Sequence, residues 1–136
     1  MRNLRSLVLG LVLLTLVTPL KAATVMYCVA ELATGLVREQ GTWRETSFKR
    51  IRWTVKFDDG FNRLEGVGPS DTFACARPYG KLDYVTCSSQ WNNGEIFVLN
   101  LETGRFFYNT ANIHGYVSDI PEPDTDVLYA GTCTKF

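Results

Sequence analysis

The chain has 136 residues, 46% hydrophobic, 21% charged and 12% aromatic. That suits one globular domain and excludes disordered, collagen-like and low-complexity sequence. Fourteen Lys and Arg balance fourteen Asp and Glu, and there is a single histidine. The charge balance gives no reason to expect a nucleic-acid partner, and the lone histidine excludes a histidine-rich metal site.

Residues 1–22 read as an address. Met1-Arg2-Asn3-Leu4-Arg5-Ser6 is basic, Leu7 to Val17 is apolar but for Gly10 and Thr15, and Thr18-Pro19-Leu20-Lys21-Ala22-Ala23 supplies a breaker and small residues. This is the pattern of a secretory signal peptide, with the cut expected after Ala22. The apolar stretch is shorter than the roughly 20 residues that span a bilayer, so no transmembrane segment is expected in the mature chain. Residues 23–136 form one exported domain on this reading, periplasmic or secreted. Loss of Arg2, Arg5 and Lys21 leaves that domain mildly acidic.

The rest of the chain shows period-two alternation bounded by turn residues. A strand opens at Thr24–Leu32, and polar residues 33–47, holding Gly35 and Gly41, read as a long loop or a weak strand around Thr42-Trp43. Phe48–Phe57 is the clearest strand: Ile51, Trp53, Val55 and Phe57 alternate with Arg50, Arg52, Thr54 and Lys56. Asp58-Asp59-Gly60 is a turn, Phe61–Val67 a shorter strand, and Gly68-Pro69-Ser70-Asp71 a break. Strands are then expected at Phe73–Ala76, Leu82–Ser88, Glu95–Leu101 and Arg105–Thr110, with Asn92-Asn93-Gly94 as a hairpin turn. Tyr116-Val117 is a weaker strand signal, Ser118–Asp126 an acidic solvated loop, and Val127–Phe136 the last strand. Seven to nine short strands predict an all-β fold, a small antiparallel sandwich or barrel. Cys28, Cys75, Cys87 and Cys133 form an even set without a Cys-x-x-Cys, and so two disulfides. A hairpin between Cys75 and Cys87 brings that pair together, and Cys28 with Cys133 joins the first and last strands.

No motif points to catalysis. His114 has no Gly-x-Ser-x-Gly partner, and Glu102-Thr103-Gly104 lacks the Asp of an aspartic-protease turn. Asp119, Glu122, Asp124 and Asp126 cluster without the order of an EF-hand, and Asp58-Asp59-Gly60-Phe61-Asn62 also departs from it. No catalytic residue, metal or cofactor is therefore expected. Charge is more informative. Residues 38–56 hold six basic side chains against two acidic, while residues 91–136 hold six acidic against two basic. Arg50, Arg52 and Lys56, on one side of the Phe48–Phe57 strand, form the expected contact surface, and Trp43 and Trp91 beside turns are candidate ligand platforms.

In size, export signal and strand content the chain is similar in outline to the small periplasmic lysozyme inhibitors of Gram-negative bacteria. The resemblance carries no individual residue over. It implies a small β domain that inhibits an envelope-active enzyme. The reading is a non-enzymatic exported domain that binds an unknown protein or an anionic envelope ligand. The alternatives are an envelope structural or assembly component and a small carboxylate-dependent hydrolase.

Overall fold

The computed structural model describes residues 22–68, 72–78, 80, 82–91, 94–110, 115–117 and 125–136. The signal-peptide expectation (but for Ala22), His114, Asn92-Asn93 and the acidic residues Asp119, Glu122 and Asp124 lie outside them. The described chain is all β: β1 Thr24–Glu39, β2 Thr42–Ser47, β3 Arg52–Phe57, β4 Arg63–Glu65, β5 Thr72–Ala76, β6 Tyr84–Ser89, β7 Ile96–Asn100, β8 Arg105–Asn109 and β9 Thr125–Lys135. Between sandwich and barrel, the fold is a barrel. Strands β1, β3, β4, β5, β6, β7, β8 and β9 follow one another antiparallel, and β9 returns to β1. β2 is an additional strand outside this ring, paired with β1 alone.

β1 makes this arrangement possible. Its first half, Thr24–Val29, pairs with β3, and its second half, Thr34–Glu39, pairs with β2 on the same edge. Its other edge pairs with β9 from Met26 to Val37, across a register shift between Ala30 and Leu32. Residues 33–39, expected as loop, are thus strand. Their polar composition reflects two half-exposed faces, and ladders on both edges hold them extended. Gly35 is required there, because a Cβ would overlap the backbone carbonyl oxygen of Asp126 on β9. Gln40 and Gly41 (φ 51° and 81°) then turn the chain tightly into β2, the left-handed pair that a two-residue hairpin demands.

Other boundaries also move. β3 begins only at Arg52, so residues 48–51 lie off the strand. Tyr116-Val117 is a turn, not a strand. At the β3–β4 turn, Asp58 Oδ1 accepts hydrogen bonds from the backbone N–H of Asn62 (2.7 Å) and Arg63 (3.2 Å). This is the side-chain-to-backbone capture that makes Asp a turn residue.

Alternation along each strand fills the barrel. Met26, Cys28, Val55, Phe57, Leu64, Phe73, Val85, Phe97, Leu99 and Tyr108 point inward and are buried. Trp53 stands edge-on to Phe106, Tyr108 and Tyr129, with centroids 5.8, 5.7 and 5.3 Å away, the arrangement that ring quadrupoles favour. The disulfides Cys28–Cys133 and Cys75–Cys87 join directly opposed residues of neighbouring strands, as expected. The interior is therefore packed with side chains.

Candidate functional site

Where β2 ends and β3 begins, the chain turns a corner along one edge of β1. Residues 48–51 are held there by two backbone bonds, Phe48 N–H to Ala33 C=O and Ala30 N–H to Ile51 C=O, each 2.9 Å. Opposite the corner, β1 carries the register shift at Glu31. An extra residue in one strand bends it and disturbs the ladder, and bulges of this kind often re-aim side chains at functional sites. The result is an open groove of about 620 Å³ lined by Val29, Ala30, Glu31, Lys49, Arg50, Ile51 and Arg52.

Lys49, Arg50 and Arg52 are exposed at this groove, and Glu31 is its one carboxylate. Glu31 Oε1 accepts a hydrogen bond from Thr132 Oγ1 (3.1 Å) on β9, which draws it to the far side of β1. Two guanidinium forks and one ammonium thus face a groove floored by backbone and aliphatic groups. Guanidinium groups bind carboxylate or phosphate through paired N–H bonds, and ammonium adds a movable point charge. The local excess of positive charge suits an anion.

Arg52 and Lys56 lie on one exposed face of β3, with the spacing expected of a row, and Arg50 precedes the strand. Arg50 and Arg52 share the groove, but Lys56 lies four residues along β3, roughly 13 Å away at strand spacing. Lys56 faces Glu65 on β4 and lines a separate groove of about 370 Å³ with Ala23, Asp58, Asp59, Arg63 and Glu65. Arg63 Nε there lies 3.2 Å from Glu65 Oε1. Lys49 lines the groove with Arg50 and Arg52. It belongs to the basic cluster of residues 38–56 but precedes β3, where strand alternation does not apply.

The two tryptophans are not brought together either. Trp43, on β2, is half-buried and stands edge-on to Tyr116, centroid to centroid 5.7 Å. Tyr116 N–H in turn donates to Asp126 Oδ2 (3.0 Å). Asp126, expected in a solvated loop, is buried on β9. Trp43 therefore packs a turn against the outside of the β2–β1–β9 sheet. Trp91 follows β6 and is 77% exposed, and its backbone N–H donates to Ser89 Oγ at 3.3 Å. Neither β6 nor β7 adjoins β2.

One buried and one half-buried phenol lie in the barrel. Burial pushes Tyr108 above the usual tyrosine range, with the charge of Glu95 and then Tyr129 adding to it; Tyr129 is raised by burial alone. Among the described residues no group of three or more His, Cys, Asp or Glu is placed to hold a metal ion, and no helix is long and apolar enough to cross a membrane. No known family model matches the chain, and no curated protein or solved structure matches it.

Proposed function

We propose that this protein is an exported, non-catalytic binding domain that holds an anionic partner at the Lys49–Arg52 corner. The observation that carries the reading is the groove itself. A bulge in β1 and the break between β2 and β3 expose three cations around one carboxylate, which a hydrogen bond turns aside. The filled barrel interior supports binding on the outer surface. The two disulfides are consistent with a location outside the cytoplasm, and the basic, apolar and small-residue pattern of residues 1–22 supports export.

The test uses poly-L-glutamate as a defined polyanion, with binding measured by titration calorimetry at 50 and 300 mM salt. Binding should weaken with salt, because exposed charges are screened beyond about 10 Å at 0.1 M. Arg50→Glu with Arg52→Glu should reduce affinity about tenfold or more, as expected when a focusing patch changes sign. Lys56→Glu should leave it within about twofold, since that residue lies outside the groove. Equal binding by the double variant and the parent protein would refute the assignment.

A further inference from the structure

We infer that the partner is an extended polypeptide segment that adds to β2 as a further strand, with acidic residues at its N-terminal end. The inference rests on the groove reading above and names what occupies it.

β2 ends the strand order and pairs only with β1 among the described residues. The bond from Phe48 N–H to Ala33 C=O shows that Phe48 turns its backbone polar groups toward β1. Thr46 does likewise, since its carbonyl accepts Thr34 Oγ1 at 3.3 Å. Strand backbones alternate, so Trp43, Glu45 and Ser47 turn their N–H and C=O groups outward. Such an edge is a template for main-chain pairing, in which backbone bonds supply affinity and side chains supply specificity.

Charge decides the occupant. A second copy is disfavoured, because two-fold antiparallel pairing of β2 with itself places a residue opposite its own copy. Full overlap centres the pairing on Arg44 or on Glu45, and like charges directly opposed across strands are destabilising. Arg44 is also engaged with Glu39 across the β1–β2 hairpin. Beyond Ser47, by contrast, the same edge leads straight to Lys49, Arg50 and Arg52. A strand laid along the six residues of β2 covers roughly 20 Å, and about four more residues carry it over the corner. Antiparallel pairing is the slightly more stable mode, and in it the residues past Ser47 are the first of the added strand. Those are the positions where Asp and Glu meet the cations.

The probe is an acetylated twelve-residue peptide with three Glu at its N-terminal end followed by alternating Thr and Val, read by fluorescence anisotropy against the purified protein. The expected result is saturable binding that drops at least tenfold when alternate residues on the pairing edge are N-methylated, which removes N–H donors and keeps every charge. Placing the three Glu at the C-terminal end instead should weaken binding. Glu45→Pro removes one outward N–H at an edge position where proline is tolerated. It should abolish peptide binding while poly-L-glutamate binding persists. An electrostatic site alone predicts the opposite, since that variant also loses a negative charge. Equal binding of the methylated peptide, or poly-L-glutamate binding without peptide binding, overturns strand addition and leaves the groove standing. Failure of both probes overturns the groove reading itself. Capture by anionic vesicles with no peptide binding replaces the polypeptide partner with a membrane surface.

Discussion

Removing the Cys28–Cys133 bond should destabilise the protein more than removing Cys75–Cys87. The pairs are otherwise closely matched. Each joins directly opposed residues on neighbouring strands with Cα atoms 3.9 Å apart, and Cys28, Cys133 and Cys87 are buried. Truncating either pair to alanine therefore removes similar packing, and that loss nearly cancels in the comparison. The difference lies in the unfolded chain. The first bond spans 105 residues and the second 12. The chain-entropy relation gives about 4.8 kcal/mol for the long loop and about 2.9 for the short one at 25 °C. The gap of about 2 kcal/mol corresponds to roughly 25-fold in the folding equilibrium. Urea denaturation of Cys28→Ala/Cys133→Ala and Cys75→Ala/Cys87→Ala, each keeping the other bond, measures it directly. Equal destabilisation, or a larger effect from the short loop, would refute the entropic account and point to native-state packing as the source of stability.

Gly35→Ala should lower stability by about 3 kcal/mol, the upper range for overpacking, because its Cβ meets the Asp126 carbonyl; the thermal midpoint should fall by roughly 10 °C. Tyr108→Phe should raise stability by about 1 kcal/mol at neutral pH, since the hydroxyl is buried without a hydrogen-bond partner among the described residues. The same variant should resist alkali better. The folded phenol titrates above the ordinary tyrosine value of 10.0, so the parent loses stability as pH rises past that value, where the unfolded phenol ionises first. Denaturation midpoints between pH 8 and 11 check both statements, and a variant that follows the parent curve would show that Tyr108 is not the titrating group.

Much of the barrel was legible because its strands are half-buried. β3 alternates apolar and polar residues, β7 and β8 are short apolar or aromatic runs whose burial alternates, and the loops between strands hold Gly, Asn or Asp. The disulfide pairing followed from the same pattern. Legibility failed where a segment escapes two-sided packing. The second half of β1 and all of β2 lie on an extension with little buried on either face, so their strand character comes from ladder bonds that leave no hydrophobic period. Residues 48–51 kept the alternation by eye yet form the corner, because bonds from Ala30 and Phe48 hold a bend that composition does not announce. The bulge at Glu31 has no signature of its own. That is why Lys49 and Glu31 were not singled out as groove residues.

The two ends of the domain finish side by side. Met26 pairs with Lys135, and Phe136 N–H reaches Val25 C=O at 3.3 Å. Within the barrel, β1 and β9 are neighbours in space and the most distant strands in sequence. Until residues 125–135 have been synthesised, the growing sheet cannot curl shut, and its aromatic inner wall stays wet. Joining the termini by a short linker and cutting the chain at the Asp59-Gly60 turn would make that closing pair a local hairpin. The mean sequence separation of contacts would fall, and with it the entropy that must be lost before the ring forms. The wild-type order of strands thus places the longest search of the folding reaction at the last strand to be made.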